Sequence, residues 1–305
     1  MELFVSYNWT QKPWIDDYLI PALEAAGHTV HWDKNFKAGT AVKVQMDAEQ
    51  DKAEKQILCF SPEYLKSKPC KHEMNRALAL DPSFATDKII PLKLVDCQLP
   101  QKIKIPNPIY VALDIDQNKI GLDTGWASLA QSLPLDLGVN PADWLRARDK
   151  TRRFLTRQES VNLVVTPRPG KRVAWRALIR HLGQDPAFNL SQVDFDSGIA
   201  ASRQELVREI LEQLGQADAV PEPPRDLAHL TRALRARGQV QQAWLHFTRS
   251  TKRGGEFNSD FYGAIRNLVN EERVLTLLIH SQQPIGQWME QTHQLSHVDF
   301  KTVTL

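Results

Sequence analysis

Cysteine is scarce in this 305-residue chain, and its pattern excludes two common structural uses of the residue. The three cysteines are Cys59, Cys70 and Cys97. Their number is odd, no two are spaced as CxxC, and none has a histidine at metal-ligand spacing. The pattern predicts reduced thiols in a reducing compartment and no structural metal site.

Long hydrophobic runs are also missing. No apolar stretch reaches the roughly 18 residues that a membrane-spanning helix needs. The N-terminal sequence MELFVSYNWT lacks a basic region followed by a long apolar stretch, so it does not have the form of a signal peptide. We therefore expect a cytoplasmic protein with no membrane partner.

An excess of charge of either sign is absent as well. The formal net charge is +2, which gives no general case for binding nucleic acid. One segment is locally basic but holds few aromatic residues, so we expect a solvated linker or an inter-subunit contact rather than a nucleic-acid site. Its cationic residues are Arg146, Arg148, Lys150, Arg152, Arg153 and Arg157.

The first part of the chain alternates strand-like and helix-like patterns. Strands are predicted at residues 2–7, 28–33, 56–61, 88–96 and 108–114, with helices between them. Strands separated by helices predict a five-stranded parallel sheet covered by helices on both faces. Pro21 lies inside the first helical pattern, where it is expected to kink the helix, and Gly27 is a stop signal.

Two α/β domains follow from the whole pattern. We predict a first domain over residues 1–133, an Arg-rich linker, with or without a short helix, over 134–159, and a second domain over 160–305. Strands of the second domain are expected at residues 161–166, 191–196, 242–248, 273–281 and 300–305. The last strand either pairs at a sheet edge or is followed by further chain in the natural protein.

Four ordered pieces of the first domain carry a family resemblance. They are a first strand ending in Ser6 and Tyr7, a loop between Asp33 and Gly39, an SxxYxxSxxCxxE pattern and the sequence IIPL. The residues of the third piece are Ser61, Tyr64, Ser67, Cys70 and Glu73. In this order, the pieces resemble a bacterial-type TIR domain over roughly residues 1–133.

The resemblance implies a flavodoxin-like fold and a function. Many TIR domains hydrolyse or rearrange NAD at the bond between nicotinamide and ribose, and the catalytic carboxylate of the family falls on Glu73. NAD is then the substrate, and no cofactor or metal is needed. The resemblance also implies a nucleotide pocket, whose predicted residues are Ser6, Tyr7, Asn8, Trp32, Asp33, Phe36, Gly39, Ser67 and Cys70.

A single carboxylate suits this chemistry. Nicotinamide already carries a positive ring charge in NAD and leaves as a neutral molecule without a general acid. The ribose that remains resembles the oxocarbenium ion of glycoside cleavage. A carboxylate close to the ribose stabilises this developing charge.

Two alternatives remain open for the first domain. Glu73 also fits a solvated acid near a helix start, because Pro69 suits the first turn and the helix dipole favours acids there.

Pro69 further stands where catalytic TIR domains commonly have a tryptophan. Trp32 or Phe36 is a candidate for another flat stacking surface, and otherwise the domain is a non-catalytic scaffold that recruits partners. Near a helix start Cys70 has either a lowered pKa or, as we favour, a packed thiol.

The second domain resembles a degenerate P-loop ATPase of the AAA/STAND type. Gly170 and Lys171 match the pattern GxxxxGK[ST], whereas Val165 and Arg172 replace its first glycine and its hydroxyl residue. Thr248 and Arg249 stand where an acidic pair is expected. The alternative is a generic α/β domain with a chance GK pair. Under both interpretations, we expect the second domain to hydrolyse little or no ATP and to serve as a scaffold, sensor or oligomerisation module.

Taken together, the patterns favour an effector of bacterial antiphage or stress defence that consumes NAD when its TIR domains self-assemble. This hypothesis includes a homo-oligomer and an activating partner sensed by the C-terminal domain. A nucleotide-sensing switch built on Lys171 is a third, less favoured hypothesis.

Overall fold

The chain divides into two units, Met1–Arg146 and Ala147–Leu305. The structure is a computed structural model. The residues that it describes are 1–33, 42–100, 111–112, 120–135, 137–165, 171–188, 190–194, 202–213, 215, 227–236, 243–248, 259–281 and 298–305. In this part of the chain, no helix is both long and apolar enough to cross a membrane.

The first unit contains a parallel sheet with the strand order β2-β1-β3-β4-β5. Its strands are β1 (Glu2–Ser6), β2 (Thr29–His31), β3 (Lys55–Phe60), β4 (Ile89–Lys93) and β5 (Val111–Ala112). The parallel α/β architecture is therefore confirmed. Four strands are three to six residues long. The fifth strand expected over 108–114 is observed only as the two residues Val111 and Ala112, which pair with β4.

The central strands of this sheet are buried. Leu3, Phe4 and Val5 on β1 and residues 57–60 on β3 are all within the core. A continuous apolar run of this kind is expected when helices cover both faces of a parallel sheet. The helices of this unit are α1 (Lys12–Trp14), α2 (Ile20–Ala25), α3 (Val42–Lys52), α4 (Pro62–Lys66), α5 (Lys68–Leu80) and α6 (Asp123–Ser132).

The helical region after β1 changes its winding before Pro21. A π-helical segment, Ile15–Leu19, separates α1 from α2, and Pro21 lies in the first turn of α2. Because proline has no N–H for the carbonyl four residues earlier, a widened turn is a usual outcome at this place. Gly27 ends the region with a φ of +87°, a conformation that favours glycine at a helix C-terminus.

The second unit contains another parallel sheet, with the order β10-β6-β9-β8-β7. Its strands are β6 (Ser160–Val164), β7 (Leu190–Asp194), β8 (Ala243–Thr248), β9 (Leu275–Ser281) and β10 (Phe300–Thr304). Strand β10 pairs with β6 at an edge, which was one of the two outcomes expected for the last strand. The helices are α7 (Pro141–Thr156), α8 (Lys171–Gln184), α9 (Arg203–Gln213), α10 (Leu227–Ala236) and α11 (Ser259–Asn270).

The structure corrects the interpretation of residues 134–159 as a linker, because most of this segment is the 16-residue helix α7, Pro141–Thr156. The division between the units falls inside this helix. Asn140 accepts a hydrogen bond from the Ala142 N–H at 2.9 Å, and Pro141 follows it in the first turn. The buried positions of α7 include the polar residues Arg148 and Thr151, which interrupt the apolar period on which the prediction depended.

Substitution of Trp144 by alanine tests whether α7 is part of a packed core. Trp144 has no exposed surface. The change is expected to destabilise the protein by about 3–5 kcal/mol, the usual cost of truncating a buried tryptophan. Urea unfolding followed by circular dichroism measures the loss. Arg153→Ala on the exposed side of α7 serves as the control and is expected to stay within about 0.5 kcal/mol. Equal stability of the two variants would contradict this assignment.

Candidate functional site

The candidate site lies at the carboxyl ends of β1 and β3. In a sheet with the order 2-1-3-4-5, the chain leaves β1 and β3 in opposite directions, which opens a crevice between their ends. Ser6 is the last residue of β1, and β3 leads through α4 into α5. The topology thus brings Ser6 and the segment that contains Glu73 to the place where open α/β sheets bind ligands.

Glu73 belongs to the buried face of α5. Cys70, Glu73, Met74 and Ala77 have helical spacing and are all buried, and Glu73 is only 5% exposed. The alternative interpretation of Glu73 as a solvated surface acid is therefore wrong. The helix begins where the sequence predicted, because the Ser67 hydroxyl accepts a hydrogen bond from the Cys70 N–H and Pro69 lies in the first turn.

Hydrogen bonds hold the Glu73 carboxylate against β1. The Ser6 hydroxyl donates to Oε2 of Glu73, and its oxygen lies 2.8 Å from the hydroxyl of Tyr64. The Tyr64 ring is itself buried and packs edge-on against Phe60, with 5.2 Å between ring centroids. The backbone of α5 is fixed nearby, since Gln50 donates to the Glu73 carbonyl at 2.8 Å.

Burial changes the acidity of this carboxyl group. Loss of hydration raises the pKa of Glu73 to about 7. The hydrogen bond from Ser6 and the charge of His72 oppose the rise in pKa, and Asp47 adds to it. His72 and Asp47 lie within 3.0 Å of each other. A carboxyl group with this pKa exchanges its proton near neutral pH, which is typical of catalytic acids and bases.

A second polar network lies next to the first. The Tyr7 hydroxyl donates to Asp33, and the Lys12 ammonium donates to both carboxylate oxygens of Asp33 at 2.9 Å. Burial, and then the hydrogen bond to Asp33, raises the pKa of Tyr7. The two networks are adjacent because Tyr7 directly follows Ser6, and the Cys70 thiol donates to the Tyr7 carbonyl oxygen at 3.5 Å.

The structure brings only some of the predicted residues together. Ser6, Tyr7, Cys70 and Glu73 form one continuous group, and Asp33 joins it through Tyr7. The Cys70 side chain is buried, which agrees with the packed thiol that we favoured, and burial raises rather than lowers its pKa.

Two further predicted residues border that group, since the Ser67 hydroxyl accepts from the Cys70 N–H at 3.4 Å and Asn8 directly follows Tyr7. The side chains of Asn8 and Ser67 cap helical turns. Trp32 is half-buried, and its indole N–H has no hydrogen-bond partner among the described residues. Phe36 and Gly39 are not among the described residues.

Sequence reasoning missed the roles of Lys12 and Tyr64. Tyr64 stands in the ordered motif, but nothing in the spacing shows that its hydroxyl turns towards Ser6. Lys12 lies 21 residues from Asp33 in sequence, and only the parallel pairing of β1 with β2 brings them together. Both contacts depend on tertiary structure, for which a single sequence holds no local signal.

The predicted P-loop region can be compared only in part. Strand β6 precedes α8, as the motif requires. Val165 is described, but Gly170, Arg249 and the side chains of Lys171, Arg172 and Thr248 lie outside the described residues.

A depression in the second unit has a volume of about 450 Å³. It lies at the amino ends of the strands of that sheet, whereas the predicted P-loop follows the carboxyl end of β6. Its lining comprises Arg157, Gln158, Glu159, Ser160, Val269, Asn270, Arg273, Val298 and Asp299, none of which was a predicted site residue.

Comparison with known proteins identifies the first unit. Residues 3–124 match the family model described as "TIR domain", so the N-terminal unit contains a TIR domain, as the ordered motif predicted. This match covers less than half of the chain. No curated protein matches the chain.

The chain also has remote similarities to solved structures. The TIR domain of the Toll-related receptor TRR-2 from Hydra magnipapillata is 17% identical, with a TM-score of 0.32, over 36% of this chain and 82% of that chain. Drosophila ORC bound to DNA is 12% identical, with a TM-score of 0.39, over 53% and 90% of the two chains. Cdc6p from Pyrobaculum aerophilum is 14% identical, with a TM-score of 0.36, over 52% and 44%.

The raised pKa of Glu73 predicts a pH-dependent effect of Glu73→Gln on stability. The stability that the bound proton contributes is fully present below the ordinary pKa of 4.5 and is lost as the pH rises through about 7. The amide of glutamine does not titrate. The difference in free energy of unfolding, variant minus wild type, should therefore be larger at pH 8 than at pH 5 by on the order of 2 kcal/mol. Urea denaturation at both pH values measures this difference.

Glu63→Gln is the matched control, because Glu63 is an exposed acid on the preceding helix. Its stability difference from the wild type should be nearly the same at both pH values. A similarly flat difference for Glu73→Gln would contradict the raised pKa.

Proposed function

We propose that the N-terminal unit cleaves NAD at the bond between nicotinamide and ribose, with Glu73 as the catalytic carboxylate. Proteins with TIR domains act as NAD-cleaving enzymes or as signalling scaffolds. The observation that favours the enzyme is the buried carboxylate of Glu73, held by Ser6 at the sheet crevice. A solvated scaffold surface gives no reason to bury a carboxylate at this place, because burial without an ionic partner costs free energy.

The proposed reaction is a hydrolysis in which NAD and water give ADP-ribose, nicotinamide and a proton. The bond between ribose C1′ and the pyridinium nitrogen breaks, and its electron pair neutralises the nicotinamide ring. Positive charge develops on the ribose, and the ionised Glu73 carboxylate stabilises it in a site of low dielectric constant. Water then adds to C1′ and loses a proton. Attack by the adenine ring instead of water would give a cyclic product from the same intermediate.

Ser6 and Tyr64 have positioning roles in this proposal. The Ser6 hydroxyl fixes one oxygen of the Glu73 carboxylate, and Tyr64 fixes Ser6 in turn. The other oxygen, Oε1, is then the one that faces the ribose. A carboxylate held in advance needs no reorganisation in the transition state, which is the main source of electrostatic catalysis.

Self-assembly is part of the proposed function. TIR domains typically associate with other TIR domains, and we infer that association of several chains completes the nucleotide pocket. The C-terminal unit would control this association in response to an activating partner. We assign the activity to bacterial antiphage or stress defence on the basis of the bacterial-type motif.

The second candidate function is a non-catalytic scaffold. It is favoured by Pro69, which lies in the first turn of α5 where catalytic relatives carry a tryptophan. The scaffold predicts that assembled protein leaves NAD intact and that Glu73→Gln assembles as the wild type does.

Nicotinamide release separates the two candidates. Concentrated, assembled wild-type protein is expected to release nicotinamide from NAD. Glu73→Gln should reduce the rate by on the order of 100-fold or more, because it removes the charge while keeping the shape. Chromatography of the products measures both. Glu63→Gln, the exposed control, should retain the wild-type rate. The enzyme proposal fails if assembled wild type and Glu73→Gln are equally inactive.

The rate of NAD cleavage should depend on pH with a defined sign. Only the ionised form of Glu73 stabilises positive charge, and the pKa of this group is about 7. We therefore expect kcat/KM to fall as the pH decreases from 8 to 6, with a midpoint near 7. The midpoint for kcat should be lower, since the cationic nicotinamide ring of bound NAD favours the ionised carboxylate. A rate that is constant over this interval would argue against Glu73 as the ionisable catalytic group.

A further inference from the structure

Trp9 is the most exposed large hydrophobic residue in the described part of the chain, at 70%. It begins a short 3-10 turn, Trp9–Gln11, directly after the segment that carries Ser6 and Tyr7. A single exposed apolar residue is common on protein surfaces and needs no function by itself. The surroundings of Trp9 make it a different case.

Hydrogen bonds hold the turn that carries Trp9. Asn8 caps the turn, and its side chain accepts from the Thr10 N–H at 3.1 Å. The side-chain oxygen of Gln11 accepts a hydrogen bond from the Asn8 N–H at 3.0 Å. Its amide nitrogen donates to the hydroxyl of Ser61, which caps α4. The exposed indole is thus carried on a backbone fixed to the same segment that leads to Glu73.

A cation covers one part of the indole. The Lys12 ammonium lies 4.9 Å from the centre of the Trp9 ring and is held there by both oxygens of Asp33. This cation–π contact orders the ring, and the large exposed fraction shows that much of its surface still faces solvent. Asp33 and Asp16 pair with this ammonium, at 2.9 Å and 3.6 Å, so it occupies part of the indole without adding a net positive charge. The remaining ring surface is available to a flat aromatic partner.

The distance from Trp9 to the carboxylate site is short. Trp9 follows Ser6 by three residues, so their Cα atoms are at most about 10 Å apart. Ser6 donates to Glu73. A dinucleotide whose scissile bond lies at Glu73 therefore has its other half within reach of Trp9.

We infer that Trp9 binds the adenine base of NAD by stacking, and that it selects the dinucleotide over its nicotinamide half. The inference rests on the proposed function, because it assigns the other end of the same substrate. Adenine is neutral and electron-rich, whereas the nicotinamide ring of NAD is cationic. The Glu73 carboxylate favours the cationic nicotinamide end of NAD, which leaves the neutral adenine base to stack on Trp9.

A comparison of two substrates tests this assignment. Nicotinamide mononucleotide contains the same scissile bond as NAD but lacks adenine. Trp9→Ala should reduce kcat/KM for NAD by about 10-fold, the usual scale of base–aromatic stacking, and should leave kcat/KM for the mononucleotide unchanged. Trp9→Phe should restore most of the rate with NAD. Leu122→Ala, which changes another exposed apolar side chain of this unit, should affect neither substrate.

Two results would overturn the assignment. An equal loss with both substrates would show that Trp9 supports the fold or the carboxylate site, and no loss with either would show that Trp9 does not contact NAD. Calorimetry of NAD binding to Glu73→Gln, alone and combined with Trp9→Ala, separates this inference from the proposed function. Weaker binding in the double variant supports adenine stacking even if the wild type fails to cleave NAD. Equal binding removes the inference while leaving the cleavage proposal intact, and absence of NAD binding by both wild type and Glu73→Gln removes both.

Discussion

The hydrogen bond from Ser6 to Glu73 is the interaction on which the candidate site depends. It joins the last residue of a central strand to the inner face of α5. A carboxylate at 5% exposure would ordinarily destabilise a fold, because its charge is removed from water. The Ser6 hydroxyl compensates part of that cost and selects one orientation of the carboxyl group. The uncompensated part of the desolvation cost raises the pKa of Glu73. Burial of this carboxylate therefore both lowers the stability of the fold and gives the group its proposed function.

The surrounding fold makes this arrangement possible. Strands β1 and β3 are neighbours in a parallel sheet, and the segment after β3 turns back through α4 and α5 to the end of β1. Tyr64 lies on α4, and its hydroxyl forms a hydrogen bond with the hydroxyl of Ser6. Tyr7, the next residue after Ser6, belongs to the network of Asp33 and Lys12.

Much of the first unit could be predicted from the sequence. Alternating patterns gave the parallel strands, and the spacing of Ser67, Cys70 and Glu73 placed the acid on α5. The burial of Glu73 is not a local property, since it depends on the strand against which α5 packs. Helix α7 was missed because Arg148 and Thr151 occupy buried positions that a hydrophobic pattern leaves unrecognised. Lys12 and Trp9 were missed for a related reason. The contact of Lys12 with Asp33 depends on parallel strand pairing, and its contact with Trp9 depends on a tight turn.

The most direct measurement is the titration of Glu73 itself. The carboxyl carbon of a selectively labelled glutamate can be followed by NMR as the pH changes, and comparison with Glu73→Gln assigns the signal. The expected midpoint is near 7, well above the ordinary 4.5, and it should change further when Ser6 is replaced by alanine. Because the Ser6 hydroxyl stabilises the ionised form, this replacement should raise the pKa. A midpoint near 4.5 that does not respond to Ser6 would contradict a buried, serine-held carboxylate.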